Sequence, residues 1–119
     1  MIALKRAYDP TSPLDGVRFL VERLWPRGVK KVALHVEAWL KDVAPSDALR
    51  RWFDHDPKKW GEFRRRYSRE LDVNTAAWAP IIKAARRGRV TLVYSARDAQ
   101  HNNAVALKEY IEARMEERG

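Results

Sequence analysis

The stretch VTLVYSARDAQHNNA, residues 90–104, decides the fold of this chain. Its first five residues are mostly apolar β-formers, one beside another, as in a central strand that is covered on both faces. The apolar run stops abruptly at Ser95, and a helical pattern begins near Asn103. We therefore expect a buried strand at Val90–Tyr94 that leads through a polar loop into a C-terminal helix. Such strand-to-helix loops are where α/β proteins place ligand sites.

The polar loop carries a cation, a carboxylate and an imidazole, at Arg97, Asp98 and His101. Arg97 is suited to bind a phosphate or carboxylate bidentately, and His101 with Asp98 could orient a ligand or move a proton. Asn102 could add to an anion site, but the commonest role of asparagine at this position is to cap the following helix. In the structural alternative, Arg97 pairs with a carboxylate and the loop only joins two elements.

Two further strands are predicted near the N-terminus, at Ile2–Tyr8 and Val17–Trp25, where β-forming residues partly alternate between apolar and polar. Residues 9–16 contain prolines and a glycine and separate these strands as a long turn. Downstream, apolar residues at helical spacing predict a helix that ends at Pro45. These apolar residues are Val32, Val36, Trp39, Leu40 and Val43.

Three more helices are predicted in the middle of the chain. The first is capped by Ser46 and runs to about Phe53. The second starts at Asp56 and carries an aromatic stripe with cations on its other faces. The third begins at Asn74 or Thr75 and ends at Gly88.

Size and composition restrict the architecture. At 119 residues the chain fits one compact domain, residues 1–119. The predicted elements give an α/β fold with a small parallel or mixed sheet of about three to four strands, flanked by about five helices. The N-terminus lacks the apolar stretch of a signal peptide, and no apolar run approaches the roughly 20 residues that span a bilayer. We expect a cytoplasmic protein that does not enter a membrane.

Residue types and charge restrict the function. The chain has no cysteine, so disulfides, thiolate zinc sites and cysteine nucleophiles are excluded. Its three histidines lack metal-ligand spacing, and it has no Gly-rich phosphate fingerprint, so we expect neither a metal site nor a cofactor. The formal net charge of +8 favours an anionic partner, because such a balance attracts phosphate-bearing molecules over long range.

A second group of candidate residues surrounds the end of the second predicted strand. Arg23 lies where an unpaired cation is costly, so it needs a carboxylate partner, solvent or a bound anion. A salt bridge and an anion site explain Arg23 equally well. Arg27 is displayed on the following Pro-Arg-Gly turn. Lys41 flanks a helix junction that would favour phosphate oxygens, although helix ends also attract lysine for structural reasons.

The basic segment at residues 50–69 suggests an alternative. It interleaves cations with aromatic residues, a pattern that suits a nucleic-acid backbone with stacked bases. Its clustered helical cations are Arg64, Arg65, Arg66 and Arg69. However, the aromatic residues share one helical stripe, so we expect the rings to face the core and the arginines to face water.

Three motifs in the same order resemble the YeaO-like branch of the domain of unknown function 488 family. They are VERLWPRG, EAWLKDVAPSDALRRWFDHDPKKWGEF and VTLVYSARDAQHNNAVAL, and the match spans nearly the whole chain. The resemblance implies a small single-domain α/β protein of bacterial or archaeal type without a well-defined cofactor. More distant relatives carry cysteines and a Cys-His-Arg ending where this chain has Ser95 and His101-Asn102-Asn103. This departure puts a thiol mechanism in doubt.

These observations favour a basic pocket that binds a phosphorylated or carboxylated small molecule at the carboxyl edge of the sheet. The candidate anion-binding residues are Arg97, Arg23, Arg27, Lys41 and Asn102, and the candidate catalytic residues are His101 and Asp98. If a reaction follows binding, hydrolysis or group transfer is favoured, because the chain has no redox centre. The alternative function is a nucleic-acid-associated basic binding module that uses the arginines of residues 64–69.

Overall fold

The computed structural model describes residues 1–117, which form four β-strands and five α-helices. The strands are β1 (Ile2–Arg6), β2 (Val17–Leu20), β3 (Ala38–Trp39) and β4 (Val90–Tyr94). The helices are α1 (Lys31–Leu34), α2 (Asp47–Phe53), α3 (Trp60–Asp72), α4 (Thr75–Ala85) and α5 (Asn103–Glu117). Short 3₁₀ turns occupy Pro13–Asp15, Lys41–Val43 and Pro57–Lys59.

The four strands form one parallel sheet in the order β1-β4-β2-β3. Val90 of β4 pairs with Ile2 on one side and with Val17 on the other, so β4 lies inside the sheet. All five residues of β4 are buried, as a strand covered on both faces requires. The structure confirms the predicted α/β fold with this segment as a central strand.

The sheet separates two apolar clusters of different size. Alternate residues of β4, beginning with Val90, pack against helices α2 to α5 in the larger cluster. Val93 and Leu20 face the other way and pack with Leu34 and Trp39 in the smaller one. The larger cluster buries most of the helical apolar surface and holds the helices that border the carboxyl edge of the sheet.

Helix α3 is amphipathic as predicted. Its stripe residues Phe63, Tyr67 and Leu71 are almost fully buried, and the Tyr67 hydroxyl donates to the Val43 carbonyl at 2.6 Å. Its arginines are exposed. Within residues 1–117, none of the helices has the length and apolar character needed to cross a membrane.

The predicted helix between Val32 and Pro45 is wrong. Helix α1 is only one turn long and ends at His35, whose φ of 52° is left-handed. The following residues form β3 because the edge of β2 offers unpaired backbone groups: the Glu37 N–H donates to the Arg18 carbonyl at 2.7 Å. The apolar spacing fitted a helix, but hydrogen bonding to the sheet determined the structure.

The predicted strand at Val17–Trp25 is too long. Strand pairing of β2 ends at Leu20, and the backbone N–H of Val21 makes one further bond to the Val93 carbonyl at 3.1 Å. The chain then leaves the sheet near the end of β4. Residues 22–27 are therefore available to line a site at the carboxyl edge.

Candidate functional site

A pocket of about 430 Å³, here called the carboxyl-edge pocket, lies where the parallel strands end. Its lining comes from segments that follow β1, β2 and β4, together with α2, α3 and the start of α5. The strands of a parallel sheet end at one edge, so loop side chains from distant parts of the sequence meet there. The side chains in its lining that bear polar groups are Tyr8, Glu22, Trp25, Arg27, Arg50, His55, Ser95, His101, Asn102 and Asn103.

Arg50 brings a guanidinium group to the pocket from α2. Its Nη2 donates to Oδ1 of Asp47 at 2.5 Å, and Nε of Arg23 lies 3.7 Å from the same oxygen. The hydrogen bond from Arg50 holds the pKa of Asp47 below its usual value. Two cations thus share one carboxylate in this three-residue cluster. The Nε atoms of both arginines are buried and have no hydrogen-bond partner among the described residues.

Glu22 brings a carboxylate to the pocket from the segment after β2. It is partly buried, and its Oε2 accepts the backbone N–H of Ser95 at 3.0 Å. Burial raises the pKa of the Glu22 carboxyl, while hydrogen bonds from Ser95 and the charges of Arg50 and His55 offset part of that rise. Glu22 has no salt-bridge partner in the described part of the chain, and the salt bridge of Arg50 is made to Asp47.

His101 lies in the pocket as half of an imidazole–carboxylate pair. Its Nδ1 is 2.9 Å from Oδ2 of Asp98, whose other oxygen accepts the backbone N–H of Gln100 at 2.9 Å. Two hydrogen bonds lower the pKa of the Asp98 carboxyl: the larger effect comes from the Gln100 N–H, and the next comes from the His101 ring. The imidazole also makes an edge contact with Trp60, with ring centroids 5.4 Å apart. Asp98 engages Nδ1, so Nε2 is the ring nitrogen left for another partner.

His55 reaches the pocket from a turn with unusual backbone geometry after α2. Asp54 and His55 have φ values of 47° and 54°, in the left-handed region. Aspartate and histidine tolerate this region better than most residues, yet two in succession store some strain. The turn places the His55 side chain in the lining that also contains Glu22.

Part of the pocket lining is apolar. Leu24, Trp25 and Pro26 come from the segment after β2, and Phe53 and Phe63 come from α2 and α3. The two phenylalanine rings stack with centroids 4.4 Å apart, and Leu24 is 69% exposed. A lining of apolar side chains with a few charged groups is typical of sites for small organic molecules.

Asn102 caps α5, as its position in the sequence indicated. Its Oδ1 accepts the Val105 N–H at 3.1 Å, and its Nδ2 donates to the Asp98 carbonyl at 2.8 Å. Asn103 donates from its side chain to the Val21 carbonyl at 2.8 Å and so links α5 to the end of β2. Both side chains therefore fix the geometry of the pocket lining.

The structure brings together only some of the residues proposed from the sequence. Arg27, His101 and Asn102 line the carboxyl-edge pocket, and Asp98 supports it through His101. Arg23 lies outside the lining but joins the Asp47 cluster that contains Arg50.

Arg97 and Lys41 do not line the pocket. The Arg97 side chain is exposed and has no hydrogen-bond or salt-bridge partner in the described part of the chain. Lys41 was predicted to flank a helix junction. It begins the 3₁₀ turn Lys41–Val43 after the edge strand β3, and its ammonium lies 4.2 Å from the Trp39 ring centroid. Of the four candidate cations, only Arg27 lines the pocket. Arg23 lies near it, because it shares Asp47 with the pocket residue Arg50.

Sequence reasoning missed Glu22 and Arg50 as pocket residues. Glu22 was not proposed as a pocket residue, although a carboxylate at the end of an apolar strand was an available signal. Arg50 gave no such signal, because its pocket position depends on how α2 packs at the sheet edge. Ser95 was identified as the end of the strand, and its N–H now has a defined partner in Glu22.

The α3 arginines lie on an exposed face outside this pocket, and three of them have acidic neighbours. Arg65 and Arg66 both pair with Glu62, at 2.9 Å each, and Arg64 lies 3.2 Å from Glu109. The two hydrogen bonds to Glu62, from Arg66 and then Arg65, lower its pKa. Among residues 1–117, no group of three or more histidine, aspartate or glutamate side chains is arranged to hold a metal ion.

Comparisons with known proteins place the chain in a family. The chain is 39% identical to the uncharacterized protein Rv3073c of Mycobacterium tuberculosis over 113 residues, which cover 95% of each chain. It is 37% identical to the uncharacterized protein YeaO of Escherichia coli over 110 residues, 92% of this chain and 96% of YeaO. No solved structure matches it significantly. The family described as the inactive DUF488-N3 subclade matches residues 1–119, and this chain belongs to that family.

Proposed function

We propose that this protein binds a small phosphorylated or carboxylated molecule in the carboxyl-edge pocket. Arg50 holds the anionic group, and Arg27 adds positive charge from the loop after β2. The apolar lining accepts the body of the ligand. The family description as an inactive subclade supports binding without turnover.

The observation that carries the proposal is the state of the Arg50 guanidinium. Arg50 lines the pocket, its Nε is buried without an acceptor among the described residues, and its one carboxylate partner is shared with Arg23. Nη2 makes the one side-chain hydrogen bond that Arg50 has among the described residues, to Asp47. A phosphate or carboxylate oxygen in the pocket would accept from the remaining donors of this guanidinium, and planar guanidinium suits both groups.

Binding of inorganic phosphate and phenyl phosphate, measured by titration calorimetry and by NMR, tests this proposal. We expect both probes to bind, with phenyl phosphate the tighter because the lining is partly aromatic. Arg50→Gln should weaken both by about 10- to 100-fold, since a charge-assisted hydrogen bond contributes about 1.5–3 kcal/mol.

Arg51→Gln is the matched control, because Arg51 lies next to Arg50 on the same helix but is exposed and outside the lining. This variant should leave both affinities within about threefold of the unmodified protein, the scatter expected for a surface charge. The proposal is wrong if neither probe binds, or if the two variants weaken binding equally.

The nucleic-acid alternative has less support. Arg64, Arg65 and Arg66 have carboxylate neighbours, and the aromatic side chains of their helix point to the core instead of offering rings for stacking. The exposed cations still provide a general attraction for polyphosphates.

A further inference from the structure

Two oppositely charged groups face the carboxyl-edge pocket without pairing with each other. Glu22 accepts hydrogen bonds from Ser95 and has no salt-bridge partner among residues 1–117. Within the described chain, Arg50 forms an ion pair only with Asp47, and its buried Nε has no hydrogen-bond acceptor. A pocket built only for an anion would not need a partly buried carboxylate, which repels anions at close range.

The donors and acceptors of Glu22 and Arg50 determine which groups a ligand must carry. An ionised carboxylate only accepts hydrogen bonds, whereas a guanidinium only donates them. The pocket therefore requires an acceptor at Arg50 and a donor at Glu22. A carboxylate or phosphate meets the first requirement, and a hydroxyl or amino group meets the second.

The remaining lining restricts the body of the ligand. Trp25, Phe53 and Phe63 are aromatic, and Leu24 and Pro26 extend the apolar surface. A volume of about 430 Å³ lies within the range of pockets for small organic molecules. An apolar or aromatic body of amino-acid size fits both the volume and the lining.

We propose that the ligand is a small organic acid that also carries a hydroxyl or amino group, with its anionic group at Arg50 and its donor at Glu22. This inference rests on the proposed anion-binding function and assigns Glu22 as the residue that selects among anions. Burial, which makes the ionised carboxyl costly, strengthens the demand for a donor from the ligand.

Three probes of the same shape test the inference: 3-phenylpropanoate, 3-phenyllactate and phenylalanine. They share an aromatic acid skeleton and differ in carrying no donor, a hydroxyl or an ammonium group. We expect 3-phenyllactate or phenylalanine to bind the unmodified protein at least about 10-fold more tightly than 3-phenylpropanoate at neutral pH, as one charge-assisted hydrogen bond implies.

Glu22→Gln should reduce this preference to less than about threefold, with 3-phenylpropanoate bound as well as before or better. The amide keeps an acceptor for the Ser95 N–H, so the local fold should persist, which circular dichroism and thermal melting would verify. Glu116→Gln on the exposed end of α5 is the control and should keep the preference.

The outcomes separate the two proposals. If 3-phenylpropanoate binds in an Arg50-dependent way and the donor-bearing acids bind no better, the anion-binding function stands and the selection by Glu22 is overturned. If the preference exists but survives in Glu22→Gln, the donor is recognised elsewhere and the inference is also overturned. If none of the three acids binds at millimolar concentration, the inference is overturned, whereas the titrations with inorganic phosphate and phenyl phosphate decide the anion-binding function separately.

Discussion

Glu22 is a carboxylate kept in a partly buried position beside Ser95, and this placement has a cost in stability. Burial raises the pKa of its carboxyl above the ordinary value of 4.5. For a raised pKa, the contribution to stability is complete below the unfolded value and is lost as pH rises through the folded value. At neutral pH the ionised side chain therefore weakens the folded state, as expected of a group kept for binding.

Glu22→Gln should accordingly stabilise the protein at pH 7, by a few degrees in melting temperature, and the gain should disappear as pH approaches 4. Melting curves of both proteins between these pH values provide the measurement. Glu116→Gln, at an exposed position, should show no pH-dependent gain. A Glu22→Gln protein that is less stable at pH 7 would show that the ionised group stabilises the fold through Arg50 and His55.

The connection between β1 and β2 contains a glycine, Gly16, at a position where a side chain would clash with the backbone. Gly16 has φ 67° and ψ −141°, a backbone region essentially reserved for glycine, and a Cβ there would lie 2.1 Å from the Arg89 carbonyl oxygen. Two hydrogen bonds flank the turn: the Val17 N–H donates to the same carbonyl at 3.0 Å, and the Thr91 hydroxyl donates to the Asp15 carbonyl at 2.7 Å. The turn thus fixes how the β1–β2 connection meets the sheet.

Gly16→Ala should destabilise the protein by about 3 kcal/mol or more, because strain and a backbone clash combine. Gly28→Ala is the matched control: Gly28 also has a positive φ, 78°, but a Cβ there meets nothing within 4 Å. Gly28→Ala should lower the free energy of unfolding by about 1–2 kcal/mol, because only the unfavourable positive φ contributes. Urea unfolding of the two variants measures the difference, and equal costs would contradict the role assigned to the Arg89 carbonyl.

Elements with strong local signals could be predicted from the sequence, whereas elements that depend on the sheet could not. Val90–Tyr94 and the following helix formed as expected, because a continuous apolar run and an asparagine cap mark them locally. Residues 32–43 did not form the predicted helix, because Ala38–Trp39 pairs as a strand with the edge of β2. Apolar spacing alone cannot show which competing backbone partner is available.

The topology of the sheet brings the lining residues of the pocket together. Glu22, Arg50 and His101 lie far apart in sequence and meet because β2 and β4 are neighbours that end at one edge, with α2 packed beside them. Sequence reasoning pointed to this edge, and of its four candidate anion-binding cations only Arg27 lines the pocket. Arg97 illustrates the reason: being in the right loop does not determine on which side of that loop a side chain lies.

The net charge of +8 also acts over the whole surface and predicts a weak, salt-sensitive attraction to nucleic acids. We expect affinity for duplex DNA to fall roughly tenfold or more between about 50 and 200 mM salt, because counterion release supplies the binding free energy. Pocket binding of inorganic phosphate should vary less, since partly buried charges are screened less than exposed ones. Fluorescence anisotropy over a salt series, beside phosphate titrations, provides the comparison.

Charge reversal on two separate surfaces decides whether α3 is a specific nucleic-acid interface. One variant replaces Arg64, Arg65 and Arg66 with glutamate, and the other replaces Arg86, Arg87 and Arg89, so both lower the net charge equally. All six side chains are exposed. Because Glu62 and Glu109 already offset the α3 cations, we expect the two triple variants to lose DNA affinity to a similar extent and to keep phosphate binding. A selective loss in the α3 variant, at a salt concentration where the second variant still binds, would instead make α3 the interface of a nucleic-acid-binding protein.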